Sequence, residues 1–556
     1  MFPIGIKSFS QLLSTEWIIV HLVLCALNSV ALMFASVKFI LAMQQSGYKT
    51  KRFFKWLKSP ETPYLSRLML LCLLGFLFFL VLNTCFSPLV GVEAGSFIGF
   101  ISYFMFLFLY IKSESAVNAK IPLRKTRRLI TLCVTYTILL ALSTFLLIIL
   151  FNYLAYILQN EMLAIMRYAL ICGMPILLPY ILYLAFCINQ PFETFIKRKY
   201  LKRTAQKLDN ANLIKIGITG SYGKTSVKEI LKTILSVKYR VLASPASYNT
   251  SMGICLTVNG LDNTHDVLIA EMGARNVGDI KVLADLVKPK YAILTGVNNQ
   301  HLESFKSYEN ILKAKNELFE SLPSDGVGFF SADNEGAKIL YEKCDKEKYF
   351  AGISGGDVCA ENLKINENGT DFTLKIQGEK PINCTTGLLG KHSISNICLA
   401  VSLAHKLGLT PKEIALGINR IQTVNHRLEL VPNNKGIVLI DDSYNSNEDG
   451  IKSAMEVLDT FKGRKIVLTP GLVELGKREN IANFEFGKTL AKHADMVIVI
   501  GKHNAEMIIQ GLLDGGMNRE NVMFAKTLNK GNVLLNGILK KGDVVLFEND
   551  LPDNYS

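Results

Sequence analysis

Residues 213–235, LIKIGITGSYGKTSVKEILKTIL, leave the backbone few paths. Leu213, Ile214, Ile216 and Ile218 form an apolar run of strand length. A Gly-rich turn follows, and Val227, Ile230, Leu231, Ile234 and Leu235 then recur at helical spacing. The predicted order is strand, loop, helix, with Lys224 and Thr225 where the helix opens. Such a loop binds phosphate. Gly217, Gly220 and Gly223 let several backbone N–H groups converge on one anion, and the positive end of the helix adds to that field. Thr219, Gly220, Ser221 and Gly223 would surround the anion and Lys224 would reach the outer phosphates. Thr225 or Ser226 would offer a hydroxyl to a magnesium ion. Ile218 stands where the general GxxxxGK[ST] loop has its first glycine, so the stretch reads G-x-T-G-S-x-G-K-T.

The chain has 556 residues, too many for one domain. Its mean hydropathy of +0.27 is high for a soluble enzyme, and the excess lies before residue 190. Five stretches, near 17–43, 68–86, 94–111, 129–152 and 163–188, reach the roughly 17–25 residues a spanning helix needs. Basic runs follow the first (Lys49, Lys51, Arg52, Lys55, Lys58), the third (Lys120, Arg124, Lys125, Arg127, Arg128) and the fifth (Lys197, Arg198, Lys199, Lys202, Arg203). The loops after the second and fourth carry little charge beyond Glu93 and Glu161. The positive-inside rule then puts the N-terminus outside and everything after residue 190 in the cytoplasm, where ATP is found. The net charge of +14 is thus a membrane signature, and no nucleic-acid partner is expected. Arg167 near the outer end of the fifth stretch either snorkels or meets a lipid headgroup, and Pro175 and Pro179 would kink that helix. No cleavable signal peptide is expected, because the first apolar run is too long and lacks a basic leading region. The 11 cysteines are scattered without a CxxC pair, which argues against a disulfide framework and a zinc ribbon.

From residue 208 the pattern alternates strand and helix, the signature of a parallel sheet, and ligands gather at the carboxyl ends of such strands. DVLIAEMGA delivers Glu271, YAILTGVNNQH delivers His301, and GVGFFSADN delivers Asp333 and Asn334. Glu271 and His301 have ligand types suited to Mg²⁺ beside ATP. In SYENILKAKNELFESL, Ile311, Leu318 and Leu322 share a helical face with Lys315. An inward lysine is desolvated and nucleophilic, and able to form a carbamate with CO₂; a snorkelling lysine is the alternative.

Taken together these motifs resemble the Mur ligases, the amide-forming enzymes of peptidoglycan precursor synthesis. The loop GITGSYGKT matches their ATP loop, EMGA and TGVNNQHLE match their metal-ligand segments at Glu271 and His301, and Lys315 matches a lysine that is often carbamylated. SYNTSMGICLT (247–257) resembles the segment after the ATP loop in the branch that adds D-Ala-D-Ala, although that branch more usually has a second Asn and a Pro here. GLLGKHSISNICLA resembles the adenine-side motif, with His392 and Asn396 at the matching positions. HRLEL brings Arg427, which matches an arginine on ATP phosphate. GIVLIDDSYNSN brings Asp442, Tyr444 and Asn445, which match the ribose-holding segment, with Glu448 in place of the usual proline.

Hydropathy makes residues 1–207 a transmembrane domain that the resemblance does not cover, and the resemblance implies two more: 208–424 a central ATP-binding parallel-sheet domain, and 425–556 a C-terminal Rossmann-like domain. It also implies ATP and Mg²⁺ as cofactors, with Lys224, Glu271, His301, Lys315 and Arg427 catalytic and Thr225, Glu271, His301 and Lys315 around the metal. The partners implied are a carboxylate-bearing cell-wall precursor, an amino acid or dipeptide, and the lipid bilayer. Addition of D-Ala-D-Ala to a muramoyl tripeptide, or to a membrane-linked equivalent, is the best-matched activity. The acceptor amine stays open. The family's G-D-M-x-E-L-G segment reads TPGLVELG here, with Glu474 retained, and both the C-terminal K-G-S-R segment and the D-N-P-R signature for meso-diaminopimelate are missing. Two alternatives remain. A ligase for another acceptor would differ at 471–480 and 547–555. The other is an ATP-driven transporter or a non-catalytic membrane scaffold, which ATP turnover strictly dependent on an amino acid or dipeptide would exclude; a transporter would also line its spans with polar residues.

Overall fold

The computed structural model describes residues 15–59, 64–90, 92–115, 123–158, 161–299, 302–366, 369–423, 426–432, 436–443, 448–473, 475 and 478–549. They form two compact units, one up to Ile196 and one from Lys197 onward.

The first unit is helical. Among the described residues, three stretches are long and apolar enough to cross a bilayer: Arg67–Phe86, Arg127–Ile157 and Tyr168–Asp209. A fourth results if the bent pair His21–Ala35 and Val37–Gln45 counts as one span, so three or four of the five expected spans meet this test among the described residues. The 17–43 span bends by 50° after Ala35. There Ser36 donates to the Leu32 carbonyl at 2.7 Å and meets the Tyr136 hydroxyl at 2.6 Å, and this type of back-bond bends helices. The 94–111 span lies in the helix Val92–Ser115, of which Ile98–Ser113 is apolar among the described residues. The 163–188 span is interrupted by a 3₁₀ turn at Met174–Leu177 that contains Pro175, the kink its prolines predict. The side chain of Arg167 lies outside the described residues.

Inside this unit Phe39, Phe53, Phe79 and Tyr136 are fully buried, while Leu70, Leu73, Val134, Ile138, Leu142 and Leu146 stand about half exposed on its outside. Polar bonds also cross the interior. Asn28 donates to the Thr144 hydroxyl at 3.0 Å and accepts from Tyr103 at 3.1 Å. The Gln44 amide exchanges two bonds with the Arg124 backbone, and the Arg128 guanidinium lies 3.9 Å over the Tyr48 ring. The basic segments 49–58 and 124–128 therefore lie at one end of the bundle.

The second unit holds two sheets. The larger comprises β1 (Ile214–Thr219), β2 (Val241–Ala243), β3 (Val267–Glu271), β4 (Tyr291–Leu294), β5 (Val327–Ser331), β6 (Glu347–Gly352), β7 (Val358–Asn366), β8 (Gly369–Ile376) and β9 (Ile382–Thr386). Their order is β2-β3-β1-β4-β5-β6-β7-β8-β9, parallel as far as β7 and antiparallel beyond. Alternation along the strands sends Ile216, Ile218, Val267, Ile269 and Ile293 to one face, where they meet Val227, Ile230, Ile394 and Ile414. Leu268, Ala270, Ala292 and Leu294 go to the other, against Ile254, Ile280, Ile311 and Leu318. Both faces are covered, as a parallel sheet requires. The chain leaves β1 for β2 in one direction and continues from β4 in the other, so the loop after β1 sits at the switch point of the sheet.

The smaller sheet comprises β10 (Glu429–Leu430), β11 (Val438–Asp442), β12 (Lys465–Thr469), β13 (Met496–Ile500), β14 (Val522–Ala525) and β15 (Val544–Glu548). It is parallel apart from β10 and runs β10-β11-β15-β12-β13-β14. The last strand inserts between the first two long ones, fully burying Val544, Val545 and Leu546.

Candidate active site

The loop 220–223 joins β1 to the helix Lys224–Leu235, as the residue pattern predicts. Gly223 caps that helix with φ +74°, a conformation open to glycine. Gly220 has φ +152°, and a Cβ there would stand 2.0 Å from Thr295 Oγ1, so only glycine lets the loop lie this close to the end of β4. Ser221 N–H donates to the Gly296 carbonyl at 2.8 Å, and the Thr295 hydroxyl donates to the Tyr222 carbonyl. Thr219 is fully buried and its hydroxyl is engaged by the Met272 carbonyl at 3.1 Å. Lys224 curls over its own loop, donating to the carbonyls of Gly220 (2.8 Å) and Ser221 (3.1 Å). Burial lowers its pKa to about 8; Glu271 opposes that fall and the Arg427 guanidinium adds to it.

Glu271, at the end of β3, is 1% exposed. Its Oε2 accepts from the Thr225 hydroxyl at 3.0 Å and from Lys228 Nζ at 3.3 Å, and its Oε1 accepts from the Asn249 amide at 3.3 Å. A hydroxyl and a carboxylate oxygen this close form a donor set of the kind Mg²⁺ takes. Lys315, on the helix Tyr308–Glu320, is 3% exposed on the same face as Ile311 and Leu318. Burial first, then the nearby Lys224 charge, lower its pKa to about 7. His301, Tyr444, Asn445 and Glu474 lie outside the described residues.

A cavity of about 570 Å³ opens between the two sheets and is lined by Gly223, Ser226, His392, Asn396, Arg427 and Asp442 among others. Its floor includes the N-terminus of the helix Lys391–Lys406, capped by Gly390 at φ +85°. Burial, aided by Arg427, lowers the His392 pKa to about 4, so its imidazole is neutral. Arg427 sits between two non-glycine residues in the left-handed region, His426 (φ +62°) and Leu428 (φ +43°), a costly arrangement held by its surroundings. Here His426 Nδ1 lies 2.7 Å from Asp441 Oδ2, and Leu428 N–H donates to Asp442 Oδ1 at 3.2 Å. Consecutive residues of β11 thus face opposite ways, and Asp442 lines the cavity. Burial raises its pKa to about 6 against the pull of Arg427.

Asp333, expected at a strand end, accepts backbone N–H groups from Ile353 (2.8 Å) and Ser354 (2.7 Å). Asn334 caps the helix Glu335–Lys343 and donates to the Tyr222 hydroxyl at 3.1 Å. Both also border the cavity. Sequence reasoning did not single out Tyr222, Thr295, Ser354 or Ser453 as lining residues, nor Lys228 as a partner of Glu271. Tyr222 lies in the phosphate loop itself, whereas the others meet their partners across elements distant in the chain.

The profile of the Mur ligase middle domain matches residues 218–404, and that of the Mur ligase glutamate ligase domain matches 426–548. The chain belongs to the Mur ligase family. Among its Mur ligase relatives, the UDP-N-acetylmuramoyl-tripeptide–D-alanyl-D-alanine ligase of Bacillus subtilis is 30% identical over 302 residues, 54% of this chain and 65% of that protein. The Escherichia coli enzyme of the same name is 29% identical over 293 residues, 52% of this chain and 65% of its own length. The chain thus spans just under two thirds of the curated relatives it matches. The crystal structure of MurF from Thermotoga maritima in complex with ADP aligns at a TM-score of 0.58 and 26% identity, covering 64% of this chain and 80% of that one. MurF from Acinetobacter baumannii gives 0.59 at 24% identity, covering 64% and 77%, a likeness of fold. The two family models begin at residue 218, so the helical unit lies outside them.

Proposed function

We propose that this Mur ligase is an ATP-dependent carboxylate–amine ligase of cell-wall precursor synthesis. It would add D-Ala-D-Ala to a UDP-MurNAc-tripeptide or to a membrane-linked equivalent. The observation that carries this reading is the single cavity that joins the phosphate loop to Arg427 and Asp442 of the second sheet. A nucleotide bridging them would close the two halves around the reacting groups.

In the first step a substrate carboxylate oxygen bonds to the γ-phosphorus as the bond to the β-phosphate oxygen breaks, giving an acyl phosphate and ADP. The loop N–H groups, Lys224 and Arg427 stabilise the charge where two anions meet. Thr225, Glu271, His301 and Lys315, the last as its carbamate, would hold Mg²⁺, which supplies Lewis-acid stabilisation of the transferred phosphoryl group. The amine then attacks the acyl carbon, phosphate leaves, and the nitrogen gives up a proton. His392 and Asn396 would meet the adenine side, and Asp442, Tyr444 and Asn445 the ribose.

The helical unit would span the membrane, with its N-terminus outside and the ligase domains in the cytoplasm. Its apolar outer surface and the basic segments gathered at one end support this. A second acceptor remains in view because residues 547–553 read FENDLPD, acidic where the D-Ala-D-Ala branch has its basic segment. The test is turnover by purified full-length protein given ATP, UDP-MurNAc-tripeptide and D-Ala-D-Ala, with ADP and the new amide measured together. Formation of ADP without amide would reject the assigned substrates. Amide formation undiminished in Lys224→Ala would reject the mechanism.

A further inference from the structure

Lys228 is fully buried one turn beyond the phosphate loop, and the mechanism above gives it no part. A buried ammonium needs a partner, and Lys228 has three. It donates to Glu271 Oε2 at 3.3 Å, lies 3.4 Å from Glu229 Oε1, and donates to the Ala246 carbonyl. Glu229 is one-third exposed, so Glu271 is its enclosed counter-charge. Ala246 takes φ +45°, a conformation rare for a residue with a Cβ, in the segment that also delivers Asn249 to Glu271. The Asn249 carbonyl accepts from Gly273 N–H at 2.9 Å.

We propose that Lys228 is a positioning residue, the resident counter-ion of Glu271. It compensates the buried carboxylate when no divalent cation is present and limits how tightly a cation is then held. The geometry is specific, because Lys228 and Thr225 share one oxygen, Oε2. A Mg²⁺ ion taking Glu271 as ligand meets a positive charge already bonded to that same carboxylate. The Mg²⁺ affinity is therefore set below what Glu271 alone would give, which lets the ion leave with the spent nucleotide. The link from Lys228 to Ala246 ties this balance to the segment carrying Asn249.

The inference rests on Glu271 being a cation ligand, and the test separates the two claims. Full-length protein with ADP is titrated with Mg²⁺ while the unfolding temperature is followed. In Lys228→Met the Mg²⁺ concentration for half-maximal stabilisation should fall about tenfold, while Lys228→Arg, which keeps the charge, should stay near wild type. A half-maximal concentration in Lys228→Met equal to or above wild type overturns the proposal. Should Lys228→Met fail to fold, the pair Lys228→Met/Glu271→Gln decides, because removing the uncompensated carboxylate should restore folding. Failure to restore it also overturns the proposal. Glu271→Gln alone should lose the Mg²⁺-dependent stabilisation. If it keeps that stabilisation, the assignment of Glu271 as ligand fails, and the role of Lys228 with it. If it loses it while Lys228→Met matches wild type, only the role of Lys228 fails.

Discussion

Thr225 Oγ1 donates to Glu271 Oε2 at 3.0 Å, so the first hydroxyl of the phosphate-loop helix and the carboxylate ending β3 face one another as a pair. Thr225→Val keeps the volume and removes one oxygen. Turnover should fall about 10–100-fold with a raised Mg²⁺ requirement, while ADP affinity without metal changes little. Initial rates across a Mg²⁺ series check this.

The role proposed for Lys224 needs its positive charge, and burial lowers its pKa to about 8 in the free protein. Charge on Lys224 is present below that pH and lost above it. The value of kcat/KM for ATP, which reports the free enzyme, should therefore decline as pH rises through about 8. Lys224→Arg stays charged and should abolish that decline, whatever its absolute rate.

The Lys315 pKa of about 7 lies below the ordinary lysine value of 10.5. The folded state thus binds this proton less well than the unfolded chain. The resulting destabilisation is fully present below about pH 7 and is relieved as pH rises from there toward 10.5. Lys315→Met should raise the unfolding temperature at pH 7 and flatten its dependence on pH over that range. Wild-type protein in ¹³C-bicarbonate should show a carbamate resonance that grows as pH rises through 7 and is missing from the variant.

Asp442 has the opposite shift, raised by burial to about 6 from a model-peptide value of 3.8. Its stability contribution is present below pH 3.8 and lost as pH rises through about 6. Asp442→Asn should stabilise the nucleotide-free protein at pH 7. It should also weaken ADP binding about tenfold, because a charge-assisted acceptor for the ribose is gone. Calorimetric titration and thermal unfolding of the same sample give both numbers.

Gly220→Ala places a methyl group 2.0 Å from Thr295 Oγ1 at a φ of +152°. Nucleotide binding should be lost, and stability should drop by about 2 kcal/mol or more. At Gly217 the nearest atom to a new Cβ is the end of the Leu318 side chain at 2.9 Å, so Gly217→Ala should be milder by the same two measurements.

How much was legible in the residue pattern depended on the range of the forces involved. The strand, loop and helix of 214–235 were readable because glycine conformation and helical periodicity act locally. Pro175 announced the break at Met174–Leu177 for the same reason. The bend at Ser36 was hidden, since its cause includes the Tyr136 hydroxyl 100 residues on. Lys315 could be placed inside by its spacing from Ile311 and Leu318, whereas Lys228 resembled one more charge on an amphipathic helix until Glu271 was found against it. Arg427 and Asp442 were found by motif, but their meeting with His392 needs two domains folded against each other.

The insertion of β15 between β11 and β12 has a consequence for biosynthesis. Synthesis makes β11 first and β15 more than 100 residues later, so two hydrogen-bonding edges wait in the nascent domain until the wedge that separates them is extruded. Through that interval the cell holds an open sheet, exposed to pairing with other chains and to chaperones. A ribosome stalled before Val544 leaves an incomplete domain ready to pair wrongly, and quality control should act at that point in translation.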